Sequence, residues 1–386
     1  MLKKVMNLGR LLSDVARRYP NEPGLIISGH RTWTWREIDA RVNAAAQALR
    51  ALGIRKGDRI LVHSRNNLQL FESGWIAFKL GAVWVPTNYR ITAPEAAYLG
   101  RSSGAAVMIY DSGFENHVDA VRQASTALRQ VISLGAPRAG ELQYEDLLLR
   151  HAGQTCDEAE VEFEDPLWFF YTSGTTGQPK AGILSHGQMA FVITNHLADL
   201  MPGLTYRSRS LVVAPLSHGA GVHAMVNTAR GAASVLLPSE KLDPESVWQA
   251  VEEYKIDNMF TVPTIVKMLV EHESVDRHDH SSLKHVIYAG APMYREDQKT
   301  ALRKLGKVLV QYYGLGEVTG NITVLPPDMH TDDDAALDAR VGTCGLPRTG
   351  MEIAILDEAG KRLGPRASGE ICVRGLAVFM GYHDNP

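Results

Sequence analysis

Cysteine is scarce: Cys156, Cys344 and Cys372 are the only three in 386 residues, and no two share a Cys-x-x-Cys spacing. That argues against a disulfide framework and a structural zinc site, and it points to a reducing, cytoplasmic setting. An excess of either charge is also lacking. With 40 Lys and Arg against 43 Asp and Glu, the formal charge is -3, which leaves no basic footprint for nucleic acid or anionic lipid. Long hydrophobic runs are missing too. The most apolar stretch, Trp75 to Pro86, is broken by Lys79 and is too short to span a bilayer. Near the N-terminus, Leu8, Leu11, Leu12, Val15 and Tyr19 recur at helical spacing between Arg10, Asp14, Arg17 and Arg18, which reads as an amphipathic surface helix and not as a signal peptide.

The residues that are present alternate between strand-like and helix-length segments. "DRILVHS" (58–64), "AVWVP" (82–86), "AAVMIYD" (105–111) and "QVISLG" (130–135) are separated by helical patterns such as Leu68 to Lys79 and Pro94 to Ser102. This is the βαβ rhythm of a parallel sheet covered on both faces. After the polar stretch 153–165 the rhythm restarts with "LWFFYTS", "SLVVAP", "SVLLP", "NMFTVP", "HVIYAG" and "VLVQYY", and with helices predicted at 187–200, 243–254, 264–272 and 295–305. From Thr343 the segments "MEIAILD" and "GEICVRG" alternate and are joined by Gly and Pro turns, the pattern of a small antiparallel unit. The expected fold is therefore α/β, with two parallel-sheet subdomains at 1–160 and 161–340 and the start of an antiparallel β unit at 341–386. The acidic segment 330–340 reads as a solvated loop.

One stretch carries chemistry. "YTSGTTGQPKAG" (171–182) follows a strand and precedes another short strand, "AGILSH". It therefore differs from G-x-x-x-x-G-K-[ST], which is absent, and from a dinucleotide glycine loop, which opens directly into a helix. Gly174 and Gly177 let backbone N–H groups converge on an anion. Thr172, Ser173, Thr175 and Thr176 offer adaptable hydroxyl donors, Pro179 stiffens the exit, and Lys180 adds positive charge. The competing reading is a flexible Ser/Thr/Gly linker. The strong strand before the loop and the Pro-Lys pair favour phosphate binding.

The sequence "YTSGTTGQPKAGILSH" resembles the phosphate loop of the adenylate-forming superfamily, which includes acyl- and aryl-CoA synthetases, luciferases and peptide-synthetase adenylation domains. "KLGAVWVPTNYRITAPE", "APLSHGAGV", "AGAPM", "QYYGLGEVTG" and "GEICVRGLAVFMGYHDNP" resemble further motifs of that superfamily, in its order. The resemblance implies an ATP-dependent acid-CoA ligase of the acyl-CoA synthetase branch, with ATP, Mg2+ and CoA as cofactor and co-substrates and a small carboxylic acid as partner. By resemblance, Thr172, Ser173, Gly174, Thr175, Thr176, Gly177 and Lys180 hold phosphates. Gly290, Ala291 and Pro292 lie against the base, Tyr313 stacks on it, and Gly314, Leu315 and Gly316 complete the nucleotide site. Glu317, helped by the Thr172 hydroxyl, binds the metal, so both enter the expected catalytic set with His218. His218 orients the carboxylate beside Gly219, Ala220 and Gly221, which leave acyl space or serve close helix packing. Tyr312 reads as a core aromatic.

Two features depart from the superfamily's pattern. Gly316 stands where many relatives have Thr, removing a hydroxyl worth about 0.5–1.5 kcal/mol if no water replaces it. The superfamily also continues past "GYHDNP" into a mobile C-terminal domain that carries a catalytic lysine, whereas this sequence ends at Pro386. It is thus expected to correspond to the large N-terminal part and to adenylate slowly by itself. Transfer to a carrier-protein thiol, oxidation of the acyl group, and a non-catalytic nucleotide-binding role stay open. So do the identity of the acid and the oligomeric state, a homodimer included.

Overall fold

Two Thr-x-x-Glu sequences set helix starts. At Thr34 the hydroxyl accepts from the Glu37 amide at 3.3 Å while the Glu37 carboxylate accepts from the Thr34 amide at 2.7 Å, opening the helix Trp35–Ala51. At Thr92 the amide donates to the Glu95 carboxylate at 2.6 Å, opening Ala93–Ser103. Such caps satisfy amides with no partner inside the helix and stabilise it by about 1 kcal/mol each.

The computed structural model describes residues 5–172, 177–239, 241–336 and 341–384. Contacts divide the chain into two units, the first holding Met1–Ala190, Thr205–Lys241 and Met380–Pro386, the second Phe191–Leu204 and Leu242–Phe379. The first unit contains β1 (Pro23–Ile27), β2 (Arg31–Thr34), β3 (Arg59–His63), β4 (Val83–Pro86), β5 (Val107–Tyr110), β6 (Gln130–Ser133), β7 (Leu142–Gln143), β8 (Pro166–Thr172), β9 (Lys180–Ser185), β10 (Arg209–Val212) and β11 (Ala233–Leu236). Its seven-stranded sheet runs β7-β6-β5-β3-β4-β8-β9. β4 and β5 are buried throughout, as strands covered on both faces must be. β1 pairs parallel with β11 and antiparallel with β2, and β10 pairs parallel with β11.

The strands expected at 58–64, 82–86, 105–111 and 130–135 are β3 to β6. The boundary expected at 160 puts the 166–185 region in the second subdomain. Strand pairing groups it differently, because β8 lies parallel to β4, with Trp84 opposite Trp168, and β9 returns antiparallel along β8.

The second unit contains β12 (Asn258–Thr261), β13 (His285–Tyr288), β14 (Leu309–Tyr313), β15 (Thr323–Leu325), β16 (Leu346–Pro347), β17 (Glu352–Leu356) and β18 (Glu370–Arg374). β12, β13 and β14 are parallel, while β15 and β16 follow antiparallel. β17 and β18 form the separate antiparallel pair anticipated from "MEIAILD" and "GEICVRG". The expected helices appear as Pro244–Tyr254, Pro263–Glu271 and Arg295–Leu305. In the acidic segment, Asp332 and Asp333 are exposed as anticipated. Asp334 departs from the expectation of a merely solvated loop, since it pairs with Arg295 and Lys299 at 2.6 Å each.

An ionic cluster around the buried Glu72 ties three helices of the first unit together. The Arg41 guanidinium reaches Glu72 at 2.5 Å and Glu145 at 2.7 Å, and the Tyr144 hydroxyl donates to Glu72 at 2.9 Å. Burial pushes the Glu72 carboxyl from its ordinary value of 4.5 up to about 7, against the pull of Arg41 and Tyr144. A raised folded-state pKa means that the contribution of this group to stability is fully present below about pH 4.5 and is lost as pH rises through about 7. Thermal unfolding between pH 5 and 8 should therefore show the wild type losing stability relative to Glu72→Gln, by up to about 3 kcal/mol. Parallel profiles would refute this assignment.

Candidate functional site

In the first unit the signature loop bridges β8 and β9. Leu167 to Phe170 are buried in β8, and this anchors a hairpin in which Thr172 pairs with Lys180 and Tyr171 with Ala181. The loop therefore joins two antiparallel strands, as the sequence indicated. Ser173, Gly174, Thr175 and Thr176 lie outside the described residues. Gly177 has φ +89 with open space where a Cβ would stand, a backbone conformation that suits glycine. The Tyr98 hydroxyl donates to the Pro179 carbonyl at 3.0 Å and holds the loop exit. Lys180 is half-buried, its ammonium 5.3 Å from the centroid of the Tyr382 ring.

Tyr382 belongs to a segment that the sequence reading grouped with the antiparallel unit. The backbone places it elsewhere: the Ile183 amide donates to the Gly381 carbonyl at 3.0 Å and the His383 amide to the Ala181 carbonyl at 2.9 Å. The "GYH" segment thus covers the outer edge of β9, and the His383 ring packs on Phe169 with centroids 4.6 Å apart. The aromatic-Gly pattern around 379–382 could have signalled a close backbone approach, but pairing with a strand nearly two hundred residues earlier is not legible locally.

His218 immediately precedes the helix Gly219–Arg230, and its ring lies 4.4 Å from that of Phe170. The residue is exposed, yet the surrounding protein desolvates the imidazole and lowers its pKa. Asn66, which sequence reasoning missed, clamps the approach: its amide nitrogen donates to the Ala214 carbonyl at 3.0 Å and its oxygen accepts from the Leu216 amide at 2.9 Å. Gly219 is half-buried and Ala220 buried. A Cβ on Gly221 would stand 2.2 Å from the Leu216 carbonyl oxygen and 3.0 Å from Trp168, so this glycine is required for close packing. It also borders an apolar void of about 20 Å³ with Trp75, Leu216 and Met225.

The second unit holds a cavity of about 590 Å³, within the size range of small-molecule sites. Its lining includes Gly290, Ala291 and Pro292 after β13, Tyr313 at the end of β14, Gly314 and Leu315 after it, and Gln298 and Gln311. Gly290, Ala291 and Pro292 are exposed. The backbone of Gly290 has φ +85, and a Cβ there would meet only Val262, at 3.8 Å. The predicted base-binding residues are thus brought together on one cavity, with room for a flat ring against the 290–292 turn. Tyr312 is buried in the core as anticipated, stacked on Phe260 with centroids 6.1 Å apart.

Gly316 and Glu317 form a 3-10 turn with Val318. The Phe379 amide donates to the Glu317 carbonyl at 2.7 Å, and the Glu317 side chain is half-buried. Of the two residues assigned to a metal, Thr172 belongs to the first unit and Glu317 to the second. A carboxylate and a hydroxyl are hard oxygen donors of the kind Mg2+ takes, so the residue types fit the ion.

A strand hairpin with Ser, Thr, Gly and Lys in its loop, and a cavity faced by the 290–292 turn and Tyr313, are features of an adenylate-forming enzyme. The chain belongs to the AMP-binding enzyme family, which it matches over residues 12–383. It is 30% identical over 360 residues to feruloyl-CoA synthase of Amycolatopsis, covering 93% of this chain and 68% of that protein. It is 27% identical to the fatty acid–[acyl-carrier-protein] ligase ScoC of Streptomyces coeruleorubidus, over 99% of this chain and 72% of that one. Among solved structures, the N-terminal domain of FACL13 from Mycobacterium tuberculosis superposes with a TM-score of 0.85 at 26% identity, covering 98% of this chain and 92% of that domain.

Proposed function

We propose that this protein is an acid-CoA ligase that activates a carboxylic acid with ATP and passes the acyl group to CoA. In the first step a carboxylate oxygen attacks the α-phosphorus, the bond to the bridging oxygen breaks, and pyrophosphate leaves with its electron pair. In the second step a CoA thiolate attacks the acyl carbonyl carbon and AMP departs. The observation that carries this reading is the Thr172–Lys180 pair at the neck of the β8–β9 hairpin, in a chain whose relatives include CoA ligases. Bringing a carboxylate to a triphosphate is opposed by charge, since two like unit charges at 4 Å repel by about 4 kcal/mol at an effective dielectric of 20. Lys180 and the loop amides offset this at the β- and γ-phosphates.

Tyr313 and the 290–292 turn take the base. The neutral His218 imidazole, desolvated beside Phe170, orients the acid through a hydrogen bond, and the half-buried Gly219 leaves room beside it, while Ala220 and Gly221 serve close packing. Glu317 would give a magnesium ion a carboxylate oxygen and Thr172 a hydroxyl oxygen, and the ion would supply neutralisation of phosphate charge.

Acid-dependent exchange of labelled pyrophosphate into ATP, measured over aliphatic and aromatic acids, tests the first step. Lys180→Ala should lower exchange about tenfold or more, through loss of one charge-assisted contact worth about 1.5–3 kcal/mol. Exchange that is unchanged in the variant, or absent with every acid, would overturn the reading. Similarity to a carrier-protein ligase favours a second reading in which the acceptor thiol belongs to a carrier protein. Supplying CoA and a phosphopantetheinylated carrier in parallel separates the two.

A further inference from the structure

The face of the β8–β9 hairpin that carries Lys180 is met by a residue from the far end of the sequence. Side chains alternate along a strand, and directly opposed residues share a face. Phe170 stands opposite Gly182 and Thr172 opposite Lys180, so Phe170, Thr172 and Lys180 project to one side. Tyr382 bridges antiparallel to Gly182 from the other edge of β9, which puts its ring on that same side. His383, the next residue, projects to the opposite side, where it packs on Phe169.

Two features bring the ring and the ammonium together. The Ile183 amide donates to the Gly381 carbonyl and the His383 amide to the Ala181 carbonyl. Gly182 and Tyr382 are therefore a non-hydrogen-bonded pair, the kind in which opposed side chains stand closest. Gly182 has no side chain, so nothing from that position stands between the ring and Lys180, two places along β9. The ammonium lies 5.3 Å from the ring centroid, within the reach of a cation–π contact.

A ring face holds a cation differently from a carboxylate. It attracts the ammonium without neutralising it, so the full charge stays available to an incoming anion. It also restrains a flexible four-carbon stem before binding, which lowers the ordering cost of gripping a phosphate. Among the described residues Lys180 forms no ion pair.

We propose that Tyr382 is a positioning residue whose ring face holds the Lys180 ammonium at the neck of the hairpin, so that the β- and γ-phosphates of ATP meet a cation already in place. This rests on the phosphate role proposed for Lys180.

Calorimetric titration of the full chain with ATP, and with AMP, which lacks the two phosphates assigned to Lys180, tests the assignment. Tyr382→Leu removes the ring face and should weaken ATP about fivefold while changing AMP by less than about twofold. Tyr382→Phe keeps the face and should bind ATP as the wild type does. In a Lys180→Ala background, Tyr382→Leu should have no further effect on ATP, because the cation that the ring holds is gone. Should Tyr382→Leu fail to fold, replacing Tyr382 by pentafluorophenylalanine keeps the shape of the ring and removes the negative potential of its face, and it should weaken ATP in the same selective way.

ATP binding indifferent to the loss of the ring face, equal weakening of ATP and AMP, or an undiminished effect in the Lys180→Ala background overturns the role of Tyr382 alone. Binding of neither nucleotide by the wild type, or wild-type ATP binding by Lys180→Ala, overturns it together with the proposed function.

Discussion

Arg348→Ala is expected to destabilise the second unit by about 3–5 kcal/mol, the usual cost of removing one partner from a buried ion pair. The Arg348 side chain is 0% exposed, and its Nε lies 3.2 Å from Asp199. Burial pulls the guanidinium down from 12.5 to about 10 even with Asp199 beside it, which shows how strongly the site is desolvated. The same carboxylate accepts from the Thr349 amide at 2.8 Å and from its hydroxyl at 2.7 Å, so one aspartate holds the whole 348–349 turn. The guanidinium also stands 6.0 Å from the Tyr312 ring centroid, and its removal would leave a void under the strand that carries Tyr313. Arg348→Met keeps most of the volume and should cost clearly less than Arg348→Ala. Chemical denaturation monitored by fluorescence measures both. A loss below about 1 kcal/mol for the alanine variant would show that Asp199 is adequately paired by Thr349 alone.

Interactions like this one mark where sequence reasoning runs out. Strands β3 to β6 were legible because short apolar runs, from Val131 and Ile132 up to the six residues 105–110, stand between helical patterns and turn residues and have few alternatives in a parallel sheet. The β8–β9 hairpin was legible because its glycines, hydroxyls and lysine occur within a dozen positions. Arg348 gave no such indication: its partner lies 149 residues earlier, and a lone Arg before Thr-Gly reads as a surface turn. β1 and β2 went unread for a related reason. β1 is five residues long and gains its neighbour from β11, with Leu25 opposite Ser234, so its stability comes from a pairing that no local window contains. Arg41, Glu72, Tyr144 and Glu145 likewise lie on three helices, and only folding brings their charges within hydrogen-bonding distance. Local chemistry identified which residues could bind phosphate and base, while the supports that hold them are long-range.

The cavity provides a stringent case of such support, in a glycine that side-chain chemistry would overlook. A Cβ on Gly314 would stand 2.4 Å from both Cα and C of Gly320 and 2.7 Å from its oxygen. These are backbone atoms, which cannot rotate away as the end of a flexible side chain can. Gly320 in turn has φ +75, and a Cβ there would lie 2.4 Å from the Tyr312 ring, so the 314 and 320 backbones are packed against each other and against the core. Gly314→Ala must therefore push the 316–320 segment away from β14, and with it Glu317 away from Tyr313. The expected stability cost is about 3 kcal/mol, the upper end for overpacked cores, together with loss of measurable nucleotide binding. Gly342→Ala is the comparison. Gly342 lines the same cavity with open space at its Cβ, although its φ of +74 brings a backbone cost of about 1 kcal/mol. If Gly314→Ala binds ATP as the wild type does and unfolds at the same denaturant concentration, the close approach of the two glycines is not what sets the geometry of Tyr313 and Glu317.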